Sequence, residues 1–420
     1  MSNQSTTIQA RIVNPNPTIM TKRRSKPRSS YRPIAFAVAW FFAATTADAD
    51  GLQLPEPLQI HGFLSQSVLR TTQNNFFGNS KDSFSPEFRE LGINASWQPT
   101  PSFRTALQLV SRDAGRTDDS NIRVDFALVD YTLHATETNL LGIRAGRVPT
   151  PLGLYNDTRD VPSLRPSIWL PQSIYFDANR NFSLSADTAY IYNERRTDFG
   201  DFLLQIGGGF PRTDDPDLKQ VIVDDFPGEM EGEPSWVSRI GYEWGGGALR
   251  LLAFYGDINS DFRPDNIPGN LQAGSFRFNP LILSFQYNGE KLSLTSEYAW
   301  RRTRVTNFGF PNADFTGNSY YVQGTYRLWP SVEALVRYDQ LIWNNSDRDG
   351  KQFEAAGLGP SCSRFAKDWT FGLGWYITPA LLLRAEYHRV NGTGWLSTLE
   401  NPQGTHQNWN LYAVQLSYTF

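Results

Sequence analysis

Between Pro149 and Arg180 the sequence sets three arginines, Arg159, Arg165 and Arg180, beside three aspartates, Asp157, Asp160 and Asp177. Five prolines, Pro149, Pro151, Pro162, Pro166 and Pro171, stiffen the same stretch. Its apolar residues Leu152, Leu154, Tyr155, Ile168, Trp169, Leu170 and Tyr175 need burial. Opposed charges in a stiff, partly apolar segment have two uses. They pair and pin the segment to a wall, or they face a narrow passage and select the ions that cross it. Both uses stay open at this level.

Other chemistry is weakly represented. The four histidines, His61, His134, His388 and His406, make no HExxH or HxH pattern, and Cys362 is the single cysteine. No metal-ligand spacing, GxSxG elbow, P-loop or strand-turn-helix GxGxxG is present, so neither an enzyme nor a cofactor or metal site is expected. The acidic stretch from Asp214 to Glu233 reads as a solvated loop, with a divalent-cation site as its alternative.

The elements that must position those charges read as β-strands. Sixteen segments alternate with period two, from 58–72 to 407–420. Among them are 88–98, 102–112, 122–135, 235–245 and 318–329. In the second, Leu91, Ile93, Ala95 and Trp97 oppose Glu90, Gly92, Asn94 and Ser96. In the fourteenth, Trp369, Phe371, Leu373 and Trp375 oppose Asp368, Thr370, Gly372 and Gly374. Short connections rich in Pro, Gly and Asn alternate with long ones, the third of which spans 150–181. This pattern predicts an all-β fold: a 16-stranded antiparallel transmembrane β-barrel with short periplasmic turns and long external loops. The polar face then lines a lumen. Alternation places Arg104, Arg144, Arg239, Arg250, Arg301, Arg327, Arg337 and Arg384 there, against Glu90, Glu243, Glu297, Glu333, Asp339 and Glu386.

Composition agrees. Aromatic residues make up 14% of the 420-residue chain, yet charged residues make up 19% and mean hydropathy is −0.43. Aromatics in a chain that is polar on average suit a barrel wetted on one face. No run of about 18 apolar residues exists to make a spanning helix. The apolar run Ile34–Ala44 follows the basic stretch Lys22–Arg28 and precedes Ala47-Asp48-Ala49. That reads as a signal peptide over 1–49, leaving a barrel over 50–420. Residues 1–19 have no place in such a signal, so Met20 is an alternative start. Residues 1–49 hold seven of the Lys and Arg and one Asp, which leaves 32 basic against 41 acidic residues. A net acidic chain is a poor nucleic-acid binder.

The last strand alternates to its end: Tyr412, Val414, Leu416, Tyr418 and Phe420 share one face. Closure of a barrel inside a bilayer requires this strand to pair with the first. The terminal Phe in aromatic register resembles the signal by which outer-membrane assembly machinery recognises its clients.

Over nearly all of 50–420 the sequence resembles bacterial outer-membrane porins of the general and phosphate-selective kind. The stretch GRVPTPLGLYNDTRD, Gly146 to Asp160, resembles a porin-like subgroup of Gram-negative bacteria. The resemblance implies an integral outer-membrane protein among lipid and lipopolysaccharide. It also implies passive diffusion of small hydrophilic solutes, often through homotrimers. In sixteen-stranded porins the third loop folds inward, which would place Arg159, Asp160, Arg165, Asp177 and Arg180 at a constriction. Phosphate-selective relatives add lysine clusters. This loop has none, which argues against phosphate selectivity. A selective anion or organic-acid channel and a closed structural or adhesion barrel are the alternatives.

Overall fold

The structure, a computed structural model, describes residues 58–178, 180–214, 216–223, 226–309 and 312–420. The expected signal segment 1–49 and the alternative start at Met20 lie outside the described residues.

Sixteen strands account for most of the chain: β1 (Leu58–Thr71), β2 (Ser85–Thr100), β3 (Phe103–Ala114), β4 (Asp119–Ala135), β5 (Asn139–Pro149), β6 (Ser185–Thr197), β7 (Gly200–Pro211), β8 (Gly228–Trp244), β9 (Leu249–Pro264), β10 (Gly274–Asn288), β11 (Leu292–Thr306), β12 (Ala313–Trp329), β13 (Val332–Ile342), β14 (Phe365–Thr378), β15 (Leu381–Gly392) and β16 (Asn408–Thr419). Each pairs antiparallel with the next, and β1 pairs with β16, so the sheet is a closed barrel. Closure leaves no edge, which is what a sheet needs where no water can satisfy backbone groups. At the seam Phe63 faces Thr419 and Val68 faces Val414. Beyond it Gly62 and Phe420 exchange two backbone hydrogen bonds of 3.0 Å. The Phe420 ring lies over Gly62, where a Cβ would come within 2.3 Å of it. The bare glycine gives the ring its seat.

The expected alternation sorts the faces. Leu91, Ile93 and Trp97 point outward, as do Trp369, Phe371, Leu373 and Trp375, while Glu90, Asp368 and Thr370 are buried inside. Aromatic residues ring the short-turn end, Trp97, Tyr242, Trp244, Tyr287, Tyr326 and Trp375 among them. Toward the long-loop end, Trp300, Tyr298, Tyr320, Tyr338 and Trp369 form an unbroken chain of ring contacts on the outer face, with centroids 4.3 to 6.2 Å apart. This second ring is uneven. Ala145, Ala189, Gly208 and Trp236 are successive register partners across β5 to β8, and only the last is aromatic.

Two expectations are corrected. The second connection of the long-loop end is only 115–118, because β3 and β4 run past the predicted ends at 112 and 122. Asp113 pairs with Asp119 in the added ladder, and Ser111 Oγ donates to Ser120 O at 2.7 Å. A strand above the apolar belt has polar residues on both faces, so period-two hydropathy does not mark it. For the same reason β8 starts at Gly228 rather than 235, and Glu229, Glu231 and Glu233 belong to a strand rather than an acidic loop. Glu231 pairs with Arg263 of β9 at 2.6 Å.

The lumen is largely filled. The third loop, 150–184, enters it and ends in a short helix, α1 (Arg180–Leu184). A second helix, α2 (Pro216–Val223), belongs to the next long-loop connection. Leu152, Ile168, Trp169, Leu170 and Tyr175 of the third loop are buried as their sequence required. Trp169 is the centre of one apolar cluster: its ring lies 5.3 Å from Phe76, 5.3 Å from Phe88 and 5.8 Å from His388. A second cluster joins Leu152, Tyr155 and Tyr175 to Phe254, Phe262 and Phe308 beside β9 to β12.

Candidate functional site

The third loop is held by side chains that the barrel alternation points inward. On β2, Glu90 accepts two hydrogen bonds from Arg165, at 2.6 and 3.0 Å. On β3, Arg112 lies 3.6 Å from Glu90 and donates to Asp177 at 2.9 Å. On β8, Arg239 donates to Asp157 at 2.9 Å. On β13, Asp339 accepts from Ser173 N at 3.2 Å, and Arg337 donates to Ser167 Oγ at 2.8 Å and to Trp169 O at 3.2 Å. On β15, Glu386 accepts from Ile168 N at 2.5 Å. Arg384 donates to the carbonyls of Pro162 and Arg165, at 2.6 and 2.5 Å. The wall thus supplies both acceptors and donors to a loop whose backbone has no ladder of its own.

Glu297 of β11 makes the densest of these anchors without any cation. It accepts from Tyr175 Oη at 2.6 Å, Tyr321 Oη at 2.8 Å, Ser284 Oγ at 2.6 Å and Leu154 N at 3.0 Å. Gly153 sits against this cluster with φ of +59°, and a Cβ there would come within 2.3 Å of Tyr175 Oη. Only glycine suits that close approach in the left-handed region. Burial, reinforced by the Glu297 charge, keeps the Tyr175 phenol protonated well above its usual range.

The five loop charges read from the sequence come together with Arg112 in one buried network. Arg180 pairs with Asp160; Arg159 lies 3.6 Å from Asp177 and donates to the Tyr175 and Phe176 carbonyls at 3.0 and 2.7 Å. Side-chain exposure of Arg159, Asp160, Arg165, Asp177 and Arg180 is 2 to 9%. Burial, with Arg159 and Arg112 adding repulsion, holds the Arg180 guanidinium well below its usual range.

Of the wall charges inferred by alternation, Glu90, Arg239, Glu297, Arg337, Asp339, Arg384 and Glu386 serve the loop. Arg144 pairs with Asp130 at 2.7 Å and stays about one-third exposed. Arg104 is exposed on the inner face near the short turns. Arg301 is buried beneath Phe176 and Trp343 with no carboxylate partner among the described residues. Sequence reading missed Arg112 and Asp130 as partners, and it named Asp157 without its partner Arg239. Arg112 and Asp130 carry the inward parity of β3 and β4, so alternation held that signal; Asp157 is placed by the loop's path alone.

His388 also lies on the inner wall. Its Nδ1 is 2.8 Å from Asp368 Oδ2 and 3.1 Å from Thr370 Oγ1, and its Nε2 is 3.3 Å from Glu386 Oε2. The hydroxyl beside it belongs to Thr370, and the Trp169 ring lies 5.8 Å from the imidazole. Outward along β16, Tyr412, Val414 and Phe420 are well exposed, with Leu416 and Tyr418 half-buried between them.

No family model and no curated protein matches the chain. Solved structures share its fold. OmpT, an outer membrane protein of Vibrio cholerae, matches at 12% identity with a TM-score of 0.54, over 86% of this chain and 99% of that one, in a structure described as a trimer form. An anion-selective porin from Comamonas acidovorans matches at 12% identity and 0.52, over 86% and 99%. The outer membrane channel DcaP of Acinetobacter baumannii matches at 12% and 0.54, over 86% and 97%. The likeness is one of fold: a closed 16-stranded antiparallel barrel of the kind found in outer-membrane porins.

Proposed function

We propose that the chain is an outer-membrane porin-like channel, a passive route for small hydrophilic solutes or ions whose constriction is set by the third loop. One observation carries this reading: a loop inside a closed barrel, bonded to inward side chains of β2, β3, β8, β11, β13 and β15. Such anchoring gives a constriction of fixed shape, where charges act on passing ions at short range. In this reading residues 1–49 export the chain and 50–420 form the channel. The short turns face the periplasm, and the aromatic rings sit at the two lipid interfaces, the outer one among lipopolysaccharide. Tyr412, Val414, Leu416, Tyr418 and Phe420 present the outward strand that assembly machinery would read. The side of the barrel with Ala145, Ala189 and Gly208 in place of aromatic residues suits a second and third copy better than lipid, which favours a homotrimer.

Two further readings rest on specific observations. Arg301 has no carboxylate at ion-pair distance among the described residues, which favours a channel selective for anions or small organic acids. The near-complete burial of the loop charges favours a closed structural or adhesion barrel. Single-channel current in a planar bilayer, with the reversal potential under a salt gradient, separates all three. Steady ohmic steps are expected, with an anion-favouring reversal potential if Arg301 and the partly exposed Arg144 outweigh the carboxylates. Folded protein that passes no current would overturn the channel reading and leave the closed barrel.

A further inference from the structure

Much of the described lumen wall is polar or packed, but an apolar pocket opens in it. At the long-loop end a cavity of about 110 Å3 lies between β10–β13, the third loop, α2 and the last long connection. Phe176, Phe182, Ile222, Phe276, Phe315 and Trp343 make its walls apolar. One charged side chain shares them. Arg301 of β11 is 6% exposed, and its guanidinium lies 5.3 Å from the Phe176 ring centre and 5.5 Å from that of Trp343. Its Nη2 donates to Ile342 O at 3.2 Å, while its Nε has no partner.

Every arginine in the loop network faces at least one carboxylate. Arg301 has no carboxylate at ion-pair distance among the described residues, and Asp339 acts on it only from farther off. A buried cation without a directly paired counter-ion is an expensive arrangement, which an anion entering the cavity would relieve. The walls say which anion. A hydrated inorganic ion would leave six apolar side chains against water. A carboxylate carrying a ring-sized apolar body would cover them and present its charge to Arg301. The cavity is open at its rim, and the aromatic walls suit edge or face contacts with such a ring.

We propose that this cavity is a binding site for small organic monocarboxylates with an aromatic or compact aliphatic body, the carboxylate paired with Arg301 and the body between Phe176, Phe276, Phe315 and Trp343. Ser397 and Thr398 of the last long connection also line the cavity, which places its rim toward the long-loop end. The site deepens the organic-acid reading above and rests on it for its physiological meaning. Binding itself does not require an open lumen.

Isothermal titration of the full barrel in lipid nanodiscs tests it, with phenylacetate, acetate and 2-phenylethanol as probes. Phenylacetate is expected to bind about ten-fold or more tightly than acetate, which lacks the body, or 2-phenylethanol, which lacks the charge. Arg301→Gln is expected to lose about ten-fold in phenylacetate affinity and to bring it close to the alcohol. Ile222→Trp on α2 fills the cavity from outside the barrel wall. It is expected to abolish binding even if Arg301→Gln fails to fold. Equal binding of acetate and phenylacetate, unchanged affinity in Ile222→Trp, or no phenylacetate binding at all would overturn the proposal. Conductance measured on the same preparation reports separately on the channel, so the two readings fail independently.

Discussion

Arg165 and Arg301 make an instructive pair. Both are arginines buried to more than nine-tenths, and both lie in the interior of the same barrel. Arg165 enters on the third loop and meets Glu90 through two short hydrogen bonds, with Arg112 adding a second cation beside that carboxylate. Arg301 comes from the wall and meets two aromatic faces and one carbonyl. Sequence treats them alike, as charges with a lumen address. In the folded chain one has its counter-ion built in and holds a loop. The other has its counter-charge missing and borders a cavity. Side-chain type therefore says less about function here than the question of who supplies the opposite charge.

The comparison can be broken most forcefully at Glu90. Glu90→Gln leaves Arg165 and Arg112 short of a buried partner, and is expected to cost about 3–5 kcal/mol of barrel stability. The loss of heat-resistant β-structure by circular dichroism would reveal it. A variant as stable as the parent would mean the loop is held elsewhere. A smaller effect is expected from Arg384→Met, which removes two hydrogen bonds from a charged group to the Pro162 and Arg165 carbonyls. That loss is about 1.5–3 kcal/mol, and a loosened loop should appear as added open-channel noise in single-channel recordings. The smallest stability effect belongs to Arg301→Gln. With no carboxylate to strand, it is expected to leave unfolding within about 1 kcal/mol of the parent or to raise it, because an uncompensated buried charge is removed. Destabilisation of Arg301→Gln as large as that of Glu90→Gln would erase the distinction drawn between the two arginines.

Much of the architecture was readable before folding, and the places where it was not share a cause. Leu91, Ile93 and Trp97 against Glu90 already declare a two-faced strand, and the turn chemistry at Gln98–Pro101 or Trp329–Ser331 marks where the chain reverses. The extra turns of ladder in β3, β4 and β8 were invisible because strand pairing outlasts the apolar belt. Beyond it Glu229, Glu231 and Glu233 face water on one side and cannot be told from a loop by hydropathy. The parity of Arg112 and Asp130 was legible, but that Arg112 would meet Asp177, 65 residues on, was not.

What the sequence determined by itself is the barrel: period-two alternation and alternating short and long connections over sixteen strands leave little else for a membrane to accept. What only the tertiary structure decided is the interior. Whether a lumen charge pairs, anchors or stays open depends on how a 35-residue loop, residues 150–184, crosses between strands far apart in sequence. Local alternation sets the direction of a side chain, but distance to an opposite charge is a property of closure. Arg165 meets Glu90 75 positions away, and Arg301 has no carboxylate at pairing distance among the described residues, for that reason alone.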